Sequence, residues 1–226
     1  MKMAMKAMLS SFLVFTSVIA VTPISRAQDL SKYREFVLGT NLTTVLKLTN
    51  QKLTDVNQSP GISRKLQDLT WWPPSALGSL YRSDSVEQIL FSFCDSALYK
   101  MTVTYDQNAT EGLTTEDMVK SISEKYGPPT AVFQEVAGNN HYGTREKAVA
   151  NWEDSQRSVN LVRSSFSNRF GLVIYTKRVN AEAELAIKEG AIREQQEGPM
   201  REAARQKKQT DDLEAARQKN QKSFRP

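Results

Sequence analysis

The sequence holds one cysteine, one histidine and ten scattered glycines in 226 residues, and each shortage removes a class of chemistry. A single cysteine, Cys94, cannot close an internal disulfide, so the folded part must rest on its apolar core. Zinc sites draw mainly on Cys and His, so the sequence points to no metal and no cofactor. Only Cys94 and His141 could form a thiol–imidazole pair, and nothing in the pattern brings them together. The glycines form no phosphate-cradling loop. No basic cluster marks a nucleic-acid face either.

What is present begins with an export pattern. Lys2 and Lys6 precede an apolar run over residues 8–21, and Ser25-Arg26-Ala27 places small residues three and one before a cut after Ala27. The run is shorter than the ~20 apolar residues of a membrane span, which favours a removed signal over a retained anchor. No cysteine follows it to carry a lipid. Loss of residues 1–27 takes away Lys2, Lys6 and Arg26 and no acid, so the formal net charge of +5 falls to +2. The mature chain, expected to start at Gln28, is periplasmic or extracellular on this reading.

The centre of the chain, residues 89–106, reads as a hairpin. Ile89, Phe91 and Phe93 alternate on one arm, and Tyr99, Met101, Val103 and Tyr105 on the other. A three-residue turn, Asp95-Ser96-Ala97, would pair Phe93 with Tyr99, Phe91 with Met101 and Ile89 with Val103, collecting every large group on one face. Ser92, Lys100, Thr102 and Thr104 then form a wet opposite face. Such a hairpin needs further strands and a covering helix.

The flanking segments supply both. Leu30, Tyr33, Phe36 and Val37 suit a short helix or an extended lead-in. After Gly39, Thr40 or Asn41 can cap a helix with Leu42, Val45 and Leu46 on one side. Residues 54–64 read as a loop. In the run 66–74, Trp71 and Trp72 precede two prolines, so the backbone is extended and the two rings point to opposite faces. Packing is the favoured use of the pair, and contact of the exposed ring with a partner or a sugar is the alternative. Further on, Thr114 caps a second helix whose first turn carries Glu116 and Asp117 and whose buried stripe is Met118, Ile122 and Tyr126, closed by Gly127-Pro128-Pro129. Strands are expected over 131–134, 148–153, 158–164 and 170–177, the last apolar on both faces as an interior strand should be. A loop over 137–144 carries His141.

The motifs Gly39-Thr40-Asn41-Leu42-Thr43-Thr44-Val45 and Gly112-Leu113-Thr114-Thr115-Glu116-Asp117-Met118, the second followed by Tyr126-Gly127-Pro128-Pro129, resemble the helix motif of small SmpA/BamE-like and β-lactamase-inhibitor-like envelope domains. The resemblance implies helices on one face of an antiparallel sheet and action through protein contacts rather than catalysis. The chain as a whole also resembles a family of exported bacterial proteins of unknown role. The lipid-bearing cysteine of the SmpA/BamE proteins is missing here, so a place in outer-membrane assembly is not implied.

From residue 179 the composition turns to Glu, Gln, Lys, Arg and Ala. Acid–base spacings such as Glu184 with Lys188, Glu189 with Arg193 and Glu197 with Arg201 favour helix, which Gly198-Pro199 should break in two. Two copies of EAARQK start at Glu202 and Glu214, an offset that turns the second roughly 120° around a helix, so they share no face. A coiled-coil seam is not expected. The sequence thus predicts an α+β chain: a signal peptide (1–27), a globular antiparallel sheet with helices packed on one face in tandem helix-hairpin units (28–178), and a charged helical or disordered tail (179–226). The expected function is a non-catalytic contact with another envelope or extracellular protein, with no nucleic acid and no membrane span after signal removal. A small-ligand or glycan module using Trp71 or Trp72 is the alternative, and a Cys94-dependent hydrolase is the weakest reading.

Overall fold

A computed structural model of the chain describes residues 29–59, 62, 64–74, 84–139, 145–164, 167–223 and 225. The signal segment 1–27, the start at Gln28, the loop residues Pro60 and Gly61, the run 75–83 and the His141 loop at 140–144 lie outside the described residues. The fold is α+β. A small hairpin of β1 (Lys32–Tyr33) and β2 (Phe36–Val37) leads to helix α1 (Leu42–Thr49), then to β3 (Asn57–Gln58), β4 (Leu66–Trp71), β5 (Val86–Cys94) and β6 (Ala97–Tyr105). Helix α2 (Thr115–Tyr126) opens the second half, followed by β7 (Ala131–Asn139), β8 (Arg145–Glu153), β9 (Arg157–Ser164), β10 (Phe170–Thr176) and helix α3 (Lys177–Ser223).

Each half is therefore a helix followed by a four-strand meander, and the two meanders meet last strand to last strand. The eight-stranded sheet has the order β3-β4-β5-β6-β10-β9-β8-β7, with every neighbouring pair antiparallel. β10 is an interior strand, as its two apolar faces require.

The helices form for local reasons. The Asn41 side chain accepts from the Thr43 backbone N–H at 3.0 Å, and Leu42, Val45 and Leu46 turn inward. Thr114 and Asp117 form a reciprocal capping box, and Met118, Ile122 and Tyr126 are buried. Both helices cover one face of the sheet, over Phe91, Phe93, Met101, Val103, Leu172 and Ile174. The extended alternative holds for the lead-in, where the β1–β2 hairpin turns at Arg34 and buries Tyr33 and Phe36 in the same core. The Tyr126 hydroxyl donates to the Lys32 carbonyl at 2.8 Å and ties that hairpin to α2.

The central hairpin departs from expectation at its tip. Cys94 pairs with Ala97, not Leu98, so the turn has two residues, Asp95 and Ser96, at φ 52° and 68°. Two left-handed residues give the connection whose twist matches the strands. Phe93 now faces Leu98, and Ser92 faces Lys100, so Tyr99 is an extra residue in β6. The bulge restores the expected pairs Phe91 with Met101 and Ile89 with Val103, but it sends Tyr99 to the opposite face.

The remaining differences lie at segment ends. The loop after α1 contains a 3-10 turn (Leu53–Asp55) and the short β3. β7 runs to Asn139, into residues expected to be loop. α3 passes through Gly198-Pro199 unbroken. A proline removes one helical hydrogen bond, but here an ion pair between Arg201 and Glu194 spans the site and helical bonds continue on both sides.

Trp152 closes the second half. Its ring is buried between α2 and the sheet, and its Nε1–H donates to the Gly127 carbonyl at 2.7 Å. Replacing it by phenylalanine leaves that carbonyl unpaired and a void beside it, so Trp152→Phe is expected to lower stability by about 2 kcal/mol. Urea unfolding checks this, with a shifted midpoint at unchanged slope. Ser96→Gly should act in the other direction, raising stability by roughly 0.5–1 kcal/mol because glycine adopts the left-handed turn without a Cβ penalty. A thermal midpoint equal to or below that of the parent would contradict the turn geometry.

Candidate functional site

The face of the sheet away from α1 and α2 is built of cross-strand rows. One row carries Ser92, Lys100 and Tyr175, the next Leu90, Thr102 and Val173, and the third Gln88, Thr104 and Gly171. Strand alternation places them together, since their neighbours Phe91, Met101, Val103, Leu172 and Ile174 point into the core. The polar groups of this face are largely paired among themselves. Ser92 Oγ donates to Asp68 Oδ1 at 2.6 Å, and Asn151 Nδ2 donates to Asn160 Oδ1 at 2.7 Å and to Ser158 Oγ at 2.9 Å. Gly171 is required by the strands themselves. A Cβ there would lie 2.9 Å from the Val103 carbonyl oxygen and 3.2 Å from Val162 Cγ2.

α3 crosses one end of this face. It leaves β10 directly at Lys177, inside the residues assigned to the globular part, and its early turns are core rather than tail. Ala183 packs with Leu66, Cys94 and Tyr99, flanked by Ile62, Val179 and Ile187. Charged groups frame the contact. Arg64 holds Asp95 at 2.9 Å and also Glu182, which receives Arg178 at 2.5 Å. The guanidinium of Arg64 lowers the carboxyl pKa of both Asp95 and Glu182. These groups are a third or more exposed, so the network orients α3 more than it stabilises it.

Between α3 and the β9–β10 hairpin the rows form the floor of a cleft of about 690 Å³. Asn180, Glu184, Ile187 and Lys188 line it from the helix, and Ser164 and Arg169 from the hairpin. Asn180 Nδ2 donates to Glu184 Oε1 at 2.9 Å, and Arg169 pairs with Glu87.

The residues singled out from sequence do not meet here. Trp71 lies on the core face, edge-on to Phe36 with ring centroids 5.6 Å apart. Trp72, just past the end of β4, is 54% exposed. The two rings therefore form no joint surface. Cys94 is buried under α3, and burial pushes its thiol pKa up, with Arg64 acting in the opposite direction. His141 lies outside the described residues. Asp117 is occupied by the Thr114 N–H at 2.9 Å and the Thr114 hydroxyl at 2.8 Å, and those bonds hold its carboxyl below the usual range. The linear pattern does not bring Tyr99, Lys100, Asn180 and Lys188 together as a site. The signal was present in α3, where 180, 184, 187 and 188 share one helical face and 179, 183 and 186 the adjoining one.

Among the described residues no helix is long and apolar enough to cross a membrane, and no group of three or more His, Cys, Asp or Glu side chains could hold a metal ion. Compared with known proteins, the chain matches no family model, no curated sequence and no solved structure.

The seat of α3 can be read through Cys94. The thiol in the intact protein is expected to react with a maleimide at least 100-fold more slowly than in the urea-unfolded chain. Ala183→Glu, which drives a charge against Leu66, Cys94 and Tyr99, should bring the rate close to that of the unfolded chain. Rapid labelling of the parent protein near neutral pH would revive a nucleophilic role for Cys94.

Proposed function

We propose that this is a non-catalytic exported protein, periplasmic or extracellular, that makes protein–protein contacts through the part of α3 standing clear of the sheet. One observation carries the reading. From residue 191 to 223 every residue except Gly198 is exposed, and Ile192, Met200 and Leu213 are 55%, 69% and 71% exposed. At 1.5 Å per residue this is roughly 50 Å of helix with no core of its own. The ion pairs along it, Arg201 with Glu194, Arg205 with Glu202 and Arg217 with Glu214, each add only a few tenths of a kcal/mol. Over these turns the helix has no packing partner among the described residues, and most helical stability in proteins comes from packing. The charged flanks and spaced apolar side chains suit a protein partner, and the resemblance to envelope domains that work by protein contact agrees with it.

Catalysis by Cys94 finds no support in a thiol buried beneath a helix with a raised pKa. The sugar or small-ligand alternative at the tryptophan pair is reduced to Trp72, because the Trp71 ring is engaged with Phe36.

A photo-crosslinking amino acid placed at Leu213, and separately at Ile192, in the full chain tests the proposal in envelope extract. One discrete adduct from these positions is expected, with none from a control position at the exposed Leu53 on the globular part. The adduct from Leu213 should disappear when Ile192 and Met200 are both changed to aspartate. Equal capture from Leu53, or no adduct from α3, would remove this function.

A further inference from the structure

We propose that the cleft between α3 and the polar face of the sheet binds a small amphiphilic anion, a single carboxylate carried on an apolar body. This goes beyond the contact role of the distal helix and rests on different residues. Lys100 stands on the floor, half-buried, and among the described residues it makes no ion pair. Its neighbours in the row are already engaged, Ser92 with Asp68 and the Tyr175 hydroxyl with the Asn160 amide at 3.4 Å. Lys188 faces the same space from the helix, and it too makes no ion pair among the described residues, although the sequence spacing offers Glu184. The Glu184 carboxylate instead accepts from Asn180.

The charge balance favours an anion. Among the described lining residues Arg169 is offset by Glu87 and two lysines stand against Glu184, while Asp68, two strands from Lys100 in the same row, is bonded to Ser92. A metal cation meets this excess unfavourably. A polyphosphate would demand several more cations or a cradle of backbone N–H groups than the floor provides, since floor N–H groups belong to strand pairing. One carboxylate between two ammonium groups matches the balance. Beside the lysines, Leu90, Val173 and Ile187 are each half-buried and line the cleft, so the rest of the guest meets apolar surface. Thr102 and Thr104 add hydroxyls that can donate to a carboxylate oxygen. The volume falls within the ~300–1,000 Å³ of small-molecule sites.

The test uses the full chain and a fluorescent probe, 11-(dansylamino)undecanoate, with its neutral primary amide as the comparison. Saturable binding of the acid is expected, with the amide at least tenfold weaker. Lys100→Gln with Lys188→Gln should weaken the acid at least tenfold and leave the amide unchanged, so that the two probes converge. Val173→Trp, which fills the floor, should abolish binding of both, and circular dichroism reports whether that variant is folded. If it is not, the lysine variant decides alone, since Gln keeps the length of the side chain on an already polar surface. Equal affinity for acid and amide, unchanged affinity in the lysine variant, or no saturable binding would overturn the proposal. The crosslinks from Leu213 are read without the probe and from different residues, so failure of this site and failure of the contact role give distinguishable results.

Discussion

Tyr99 is one residue more than the β5–β6 ladder needs, and both layers of the protein depend on it. Without the bulge, alternation would put Tyr99 beside Met101 and Val103 in the core and turn Leu98 outward. With it, Leu98 stays over the core opposite Phe93, and Tyr99 becomes the floor on which Ala183 rests. The two-residue turn beside it works outward as well. The Leu42 N–H donates to the Ser96 carbonyl at 2.9 Å, the Leu98 N–H to the Thr40 carbonyl at 2.9 Å, and the Gly39 N–H to the Leu98 carbonyl at 2.7 Å. The Asp95 N–H donates to the Lys65 carbonyl at 3.0 Å, and its carboxylate holds Arg64. The start of α1 on one side of the sheet and the seat of α3 on the other are thus fastened to the same few residues.

The tandem arrangement explains why much of the remaining surface is polar. Two helix-plus-meander units joined through β6 and β10 bring two helices to the same face, where one apolar core absorbs both. The far face then has no helix of its own. Its Ser92, Asn151 and Ser158 side chains are buried and bonded across the strands, while Lys100, Thr102 and Thr104 are half-buried. Where α3 covers its end, the apolar residues Leu66, Cys94 and Tyr99 appear. Between α3 and the β9–β10 hairpin the hollow remains. Sheet pairing and the length of helix that can dock set the position of the cleft, and no single loop makes it.

What could be read in advance divides along the same line. α2 was legible almost residue by residue, because Thr114, Asp117, Met118, Ile122, Tyr126 and Gly127 act on one another within a few positions. The core faces of β5, β6 and β10 were legible from alternation. The turn was not, since Asp95 and Ser96 lack the Asn-Gly or Asp-Gly signature of a left-handed pair, and a three-residue loop accounted equally well for the aromatic residues. The docked part of α3 was hidden because its buried side chains, Ala183 and Ala186, are small and sit among charges, so hydropathy reads them as tail. Pro199 misled in the other direction, as a local rule overridden by the helix on both sides. Trp152 carries no such signal in its strand because its partner, the Gly127 carbonyl, lies across the fold. The cleft depends on β5, β6, β10 and α3 meeting, and nothing in the linear pattern fixes where a helix lies on a sheet.

Because α3 both lines the cleft and projects beyond it, the two proposed roles share one mechanical element. The docked turns hold the sheet through Ala183 and Ala186, with Val179 and Ile187 packed beside them, and through exposed ion pairs. A guest held by Lys100 on the floor and Lys188 on the helix bridges the two and favours the seated state. By linkage, a partner that bears on the distal helix and requires the seated orientation must strengthen guest binding by the same factor, and one that pulls the helix away must weaken it equally. The stem between the two surfaces is short, since Lys188 lines the cleft and Ile192 stands one helical turn beyond it. Coupling of this kind needs no second conformation of the sheet, only a helix whose hold on it is weak enough to be shifted from either end.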